Sequence, residues 1–179
     1  MIRSRSVAVF GSSQTEPDSP EWIEAEMVGR RLARSSFAVI TGGYGGTMEA
    51  ASKGASDAGG HVIGITAPPL FPGRHGANPF VNELIEADNL TDRIGRMMER
   101  ANGTLALAGS IGTATELLVA WNINHIVRRN SGSAIPTVAI GPGWAAVAST
   151  LSKEIDAVPA DIHLAPDGDS GLDWLLGQL

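Results

Sequence analysis

The sequence contains no cysteine and only two lysines, Lys53 and Lys153, among 13 basic residues. The absence of cysteine excludes disulfides, thiolate zinc sites, iron–sulfur clusters and cysteine nucleophiles. Neither lysine lies in a recognisable pyridoxal-phosphate pattern, which disfavours a Schiff-base enzyme. The four histidines have no paired metal-ligand spacing. We therefore expect neither a metal nor an organic cofactor.

Positive charge is also scarce, since the 19 acidic residues exceed the basic ones by 6. This balance argues against a nucleic-acid binder with a broad basic surface and leaves a small anionic ligand open. No apolar run approaches the ~20 residues of a membrane span. The apolar stretch near the N-terminus is too short for a signal peptide. We expect a cytoplasmic protein with neither a nucleic acid nor a membrane as partner.

The length of 179 residues predicts a single domain, residues 1–179. Short apolar runs predict strands at residues 6–10, 37–41, 61–66, 104–107, 137–140 and 162–164. Helical periodicity predicts helices from about residue 21, at 47–58, 91–100, 113–126 and 144–153, and from residue 170. Buried strands followed by helices are typical of a parallel sheet covered on both faces. We therefore predict a Rossmann-like α/β fold with a ligand crevice beyond the carboxyl ends of the strands.

The connection over residues 67–82 contains four prolines and is predicted to be an irregular loop. Long ordered loops usually carry function.

Glycine dominates the turn after the second predicted strand, where residues 41–47 read TGGYGGT. Its glycines are Gly42, Gly43, Gly45 and Gly46. Glycines there let backbone amides approach a phosphate at the positive end of a helix dipole. The spacing matches neither the dinucleotide fingerprint nor the P-loop. A tight turn with close helix packing is the alternative explanation, and Tyr44 could face a base.

A second glycine-rich loop, residues 108–116, reads AGSIGTATE. It offers backbone amides and hydroxyl groups to a phosphate. These groups belong to Gly109, Ser110, Gly112 and Thr113. Glu116 follows on the first helical turn, where a carboxylate could stabilise a sugar cation and orient water. The alternative is a capping box, in which Thr113 and Glu116 merely satisfy backbone amides.

Two further patterns each permit a binding and a structural explanation. Arg93, Arg96 and Arg100 share one helical stripe, which is either a solvated face or a clamp for phosphate. Ser13 could donate its hydroxyl to a ligand at the first strand end, or it could cap a helix together with Glu16.

Four segments together resemble the Lonely Guy family. They are VAVFGSS (7–13), TGGYGGTMEAASKGA (41–55), AGGHVIGIT (58–66) and DRIGRMMERANGTLALAGSIGTATELLVAW (92–121). Members of that family often carry the label lysine decarboxylase. Its characterised members are phosphoribohydrolases that release a cytokinin base from its nucleoside 5′-monophosphate.

The resemblance implies particular roles. The family motif PGGxGTxxE matches residues 108–116 and puts the catalytic glutamate at Glu116, whereas RKxxM matches residues 93–97 and puts the catalytic arginine at Arg93. The first motif, GGGxxGxMG, matches residues 41–49. The departures from these patterns include Ile94, Ala108, Ser110 and Thr115. The resemblance also implies a homodimer.

Two hypotheses follow. In the first, the protein hydrolyses the N-glycosidic bond of a purine nucleoside 5′-monophosphate, such as AMP or a cytokinin nucleotide, to free base and ribose 5-phosphate. Arg93 and Glu116 are then catalytic, and the two glycine loops with Ser13 bind the substrate. In the second, the same cleft carries a nucleotide or the phosphorylated pterin of the molybdenum cofactor without turnover, because GGTMEAASKGA also resembles carriers of that cofactor.

Overall fold

The computed structural model describes residues 5–74, 76–155 and 157–179. Within these residues the chain forms seven strands and six helices. The strands are β1 (Ser6–Phe10), β2 (Ala38–Thr41), β3 (Val62–Thr66), β4 (Glu83–Glu86), β5 (Gly103–Ala106), β6 (Thr137–Ile140) and β7 (His163–Ala165). The helices are α1 (Pro20–Arg34), α2 (Thr47–Asp57), α3 (Leu90–Arg100), α4 (Ile111–Arg129), α5 (Pro142–Glu154) and α6 (Gly168–Gln178). His75, one of the four histidines without metal-ligand spacing, lies outside the described residues.

All seven strands are parallel and lie in the order β4-β3-β2-β1-β5-β6-β7. The order reverses at β1, which pairs with β2 on one side and with β5 on the other. In open α/β sheets, the ligand crevice lies at such a reversal, beyond the carboxyl ends of the strands. The fold therefore predicts a ligand crevice at the loops after β1, β2 and β5.

The core has two layers, one on each face of the sheet. Alternate residues of a strand point to opposite faces, so Val7 and Val9 of β1 pack against α1, α2 and α6. Ala8 and Phe10 pack against α3, α4 and α5 on the other face. Strands buried on both faces have nearly continuous apolar sequences, which explains why β1, β2 and β6 were predictable.

Strand β4 is an addition to the predicted set. Its sequence, ELIE, is short and half-exposed in alternation, because β4 is an edge strand that pairs only with β3 among the described elements. Glu83 forms an ion pair with Arg100 at 3.0 Å and a hydrogen bond with His61 at 3.3 Å. The irregular residues 67–82 are therefore the crossover that joins two parallel neighbours, β3 and β4.

The first helix begins one residue earlier than expected and has a different cap. Ser19 accepts a hydrogen bond from the Trp22 amide at 3.2 Å, and Pro20 occupies the first helical position. Serine at this position and proline immediately after it both favour a helix start. The alternative role of Ser13 and Glu16 as a helix cap is therefore wrong. In the part of the chain that the structure describes, no helix is long and apolar enough to cross a membrane.

Candidate active site

Loops from neighbouring strands meet where the strand order reverses. The segment after β1 contacts the first glycine turn, because the Thr47 amide donates to the Ser12 carbonyl at 2.9 Å. The crossover contacts the same turn, because the Asn78 amide donates to the Gly43 carbonyl at 2.7 Å. The loops after β1, β2 and β3 thus contact one another at the carboxyl edge of the sheet.

The first glycine turn allows two close approaches. Gly46 has a φ of 70°, and a side chain there would collide with the backbone of Ser12 and Ser13. A Cβ at Gly42 would overlap the Arg93 guanidinium. The alternative explanation, a tight turn with close packing, is therefore correct for the backbone. The same turn also makes room for a charged side chain.

A buried ion pair lies next to this turn. Helix α3 supplies Arg93 and helix α4 supplies Glu116, with 3.2 Å between Nη1 and Oε1. Their side chains are only 8% and 9% exposed. Arg93 Nε also donates to the carbonyl of Ile65 at 2.7 Å, which fixes the guanidinium at the end of β3. Two residues that are 23 positions apart in the sequence are thereby held in direct contact.

Burial and ion pairing shift the pKa values of these two residues in opposite directions. Removal of water raises the pKa of Glu116 from 4.5 to about 7, although the charge of Arg93 opposes the rise. Burial likewise lowers the pKa of Arg93, against the attraction of Glu116. Since a general acid or base works best with a pKa near the working pH, Glu116 can accept and release a proton near neutrality.

The second glycine loop forms the N-terminus of α4, which starts at Ile111 with Ser110 as its cap. The helix thus begins two residues before the predicted position. The alternative of a capping box is wrong, because Thr113 lies inside the helix and the Glu116 carboxylate pairs with Arg93. The Ser110 side chain makes no capping hydrogen bond, so the first amides of α4 stay available to a ligand.

Thr113 adds a hydroxyl group to this loop. The residue is 1% exposed, and its Oγ1 has no hydrogen-bond partner in the described ranges. A Cβ at Gly109 would collide with that oxygen. Gly109 therefore leaves Thr113 Oγ1 directly beneath the loop, where an added acceptor could satisfy it.

The other arginines of the stripe are engaged elsewhere. Arg96 donates to Asp92 at 2.8 Å and Arg100 donates to Glu83 at 3.0 Å. The solvated-face explanation therefore fits these two residues, whereas Arg93 turns inward. Lys53 does not contact the pair, since its Nζ donates to Asp57 and Glu26, and its helix α2 packs on the opposite side of the sheet from α3 and α4.

A pocket of about 360 Å³ lies between the crossover and the first glycine turn. Its polar lining consists of Ser13, Gln14, Tyr44, Glu49, Arg74 and Asn78, and Gly45 completes the turn side. Arg74, Glu49 and Asn78 were not predicted from the sequence. The four prolines of the crossover were the available signal, because they marked an ordered loop without indicating which of its side chains point inward.

The sequence model of the SLOG cluster4 family matches residues 4–137. A pyrimidine/purine nucleotide 5′-monophosphate nucleosidase of Escherichia coli K12 is 33% identical over 131 residues, which are 68% of this chain and 28% of that protein. A cytokinin riboside 5′-monophosphate phosphoribohydrolase of Mycobacterium marinum is 31% identical over 123 residues, 68% of this chain and 64% of that protein. The chain therefore spans less than two-thirds of either relative. These matches confirm the resemblance to the Lonely Guy family.

Among solved structures, the molybdenum cofactor binding protein of the phototrophic bacterium Rippkaea orientalis is similar over 99% of both chains, with a TM-score of 0.77. Its sequence identity is 19%. The likeness confirms the predicted Rossmann-like α/β fold and shows the fold alone.

Proposed function

Because the chain belongs to the SLOG cluster4 family, we propose that it is an N-glycosyl hydrolase of nucleoside 5′-monophosphates. Its products are a free base and ribose 5-phosphate. The buried Arg93–Glu116 ion pair between two glycine loops carries this proposal. The names of the two relatives, a nucleotide nucleosidase and a phosphoribohydrolase, support the same reaction.

The phosphate binds at the start of α4. There it meets the amides of the second glycine loop, at the positive end of the helix dipole. The loop residues concerned are Gly109, Ser110, Gly112 and Thr113. The buried hydroxyl of Thr113 then gains the acceptor that it lacks among the described residues. Glu116 follows Thr113 by three positions, a rise of about 4.5 Å along the helix, which leaves room for a ribose between phosphate and carboxylate.

Glu116 acts on the sugar. As the bond from C1′ to the base nitrogen breaks, positive charge develops on the ribose, and the Glu116 carboxylate stabilises it. Water adds its oxygen to C1′ and loses a proton to Glu116, and the departing base ends with one added proton. A pKa of about 7 allows Glu116 to take up and release that proton. Arg93 holds the carboxylate and contributes positive charge beside the phosphate and ribose.

The quaternary structure that we propose is a homodimer formed through α4. Its outer face exposes Leu118 and Ile126, at 41% and 50%, and Ile155 after α5 is 68% exposed. A mostly apolar pocket of about 560 Å³ includes Leu118 and Ile155. A second copy would remove this surface from water. Sedimentation of the purified protein and of Leu118→Glu measures the association directly.

We also propose a cytoplasmic location, where nucleoside monophosphates are available.

Incubation with AMP, GMP, CMP, UMP and an N6-alkylated AMP, followed by chromatography of the free bases, tests the reaction. We expect base release by the wild type, and a loss of about 100- to 1,000-fold in Glu116→Gln. Glu99→Gln, an exposed change on α3, is the matched control. Tight binding of a nucleotide by the wild type without base release would instead establish the carrier alternative.

A further inference from the structure

The 360 Å³ pocket adjoins the ion pair through one aromatic ring. The Tyr44 ring centroid lies 4.9 Å from Cζ of Arg74, which lines the pocket, and 5.8 Å from Cζ of Arg93. In the proposed function, the base is bonded to the same sugar carbon that Glu116 stabilises. With the phosphate at α4, the base has to lie on the other side of the ion pair, and the pocket beyond Tyr44 is available to it.

The Arg74 guanidinium is held in a fixed orientation, but no carboxylate forms an ion pair with it among the described residues. Its guanidinium lies against Tyr44 and Phe71, 4.7 Å from the latter ring centroid, and Nη2 donates to Ser13 Oγ at 3.0 Å. It takes part in none of the ion pairs formed by the described residues. A guanidinium has five N–H donors in one plane. Arg74 therefore offers further donors and a positive charge to the pocket.

Helix α2 places an acidic residue, Glu49, at the same pocket. It lines the same pocket, and its Oε2 lies 3.6 Å from the position that a Cβ at Gly45 would occupy. The cap of α2 uses no side chain, and Glu49 forms no ion pair in the described part of the chain. An acid in the first turn is favoured by the helix dipole. The helix dipole explains why an acid is present in this turn, but it does not explain why the Glu49 carboxylate lines the same pocket as Arg74.

We propose that this pocket binds the base and that Glu49 and Arg74 select guanine; the inference rests on the proposed function. Guanine carries two adjacent donors, N1–H and N2–H, on one edge and two acceptors, N7 and O6, on the other. An ionised carboxylate accepts two hydrogen bonds, and a guanidinium donates two to N7 and O6. Adenine has an acceptor, N1, beside its amino group, and the amino group of cytosine adjoins N3. Either acceptor would face a carboxylate oxygen unfavourably.

Rates of base release from GMP, IMP and AMP test the selection. A lost bidentate contact typically weakens discrimination by about 10- to 100-fold. We expect kcat/KM for GMP to exceed that for AMP by this factor, with IMP, which lacks the N2 amino group, between them. Glu49→Gln should clearly reduce the preference for GMP over AMP, because only the Arg74 contact to N7 and O6 then discriminates, whereas Glu99→Gln should keep the preference. Equal rates for the three nucleotides, or an unchanged preference in Glu49→Gln, would overturn the proposal.

Calorimetry with Glu116→Gln separates this inference from the reaction itself. If no nucleotide is cleaved by the wild type, the proposed hydrolysis fails, yet binding still reports on the pocket. Tighter binding of GMP than of IMP and AMP, clearly reduced on adding Glu49→Gln, would then support guanine selection. Equal binding of the three would refute it.

Discussion

Replacement of Arg93 by methionine removes a charge beside Glu116 and keeps an unbranched side chain in a buried site. Two charges 3.2 Å apart interact by about 5 kcal/mol at an effective dielectric constant of about 20. Since one pKa unit corresponds to about 1.4 kcal/mol, loss of Arg93 could raise the pKa of Glu116 by up to about 4 units. Water that enters the vacated space reduces this effect. We expect the pKa to rise at least about one unit above its starting value of about 7.

The pH dependence of unfolding measures this shift without turnover. The pKa of Glu116 is higher in the folded chain, about 7, than its ordinary 4.5. Its contribution to stability is therefore full below pH 4.5 and is lost as the pH rises to about 7, a fall of about 3 kcal/mol. In Arg93→Met the fall should extend to higher pH, and in Glu116→Gln it should vanish. Arg93→Lys keeps the charge and should resemble the wild type.

Denaturant titrations at a series of pH values provide the free energies, and isotope-edited infrared spectroscopy of the carboxyl group gives the protonation state independently. An infrared midpoint in Arg93→Met equal to that of the wild type would refute the reasoning. So would a downward shift, because the ion pair would then not be holding the carboxylate in its charged form.

Three further predictions concern the same region and its scaffold. Gly42→Ala should displace the guanidinium of Arg93 and lower kcat at least about 10-fold. Gly95→Ala on α3, where nothing lies within 4 Å of the added Cβ, should leave kcat nearly unchanged, and similar rates in both variants would contradict the close approach. The wild-type kcat/KM should rise with pH through a midpoint near 7 as Glu116 ionises, and a flat profile across neutrality would exclude this role. Ser19→Ala should destabilise the chain by about 1 kcal/mol in denaturant titrations because it removes the cap of α1, and unchanged stability would show that the cap contributes nothing.

The apolar strands were predictable because a strand buried on both faces leaves a continuous signature in the sequence. Strand β4 left none, since this edge strand has only two apolar residues, Leu84 and Ile85, between Glu83 and Glu86. Its pairing with β3 depends on a crossover whose path the local sequence does not encode.

The candidate site was likewise predictable from the sequence only in part. The glycine loops and the positions of Arg93 and Glu116 were identified in the sequence, but their 3.2 Å contact was not, because it depends on how α3 and α4 pack across the sheet. The capping box was an equally good local explanation for Glu116. Tertiary packing excluded it by placing Ser110, rather than Thr113, at the start of α4. Arg74 was missed because neither charge nor spacing distinguishes it from the other arginines.

Asn78 fastens the crossover to the first glycine turn through its amide, at 2.7 Å from the Gly43 carbonyl, and through its side chain, at 3.0 Å from the Tyr44 carbonyl. The side of the pocket that carries Arg74 is thereby ordered without a bound nucleotide. A ligand that enters does not have to pay the entropy of ordering that segment. Affinity at this cleft should then depend mainly on the fit between the ligand and a rigid, preorganised surface, and substitution of Asn78 should weaken it for every nucleotide alike.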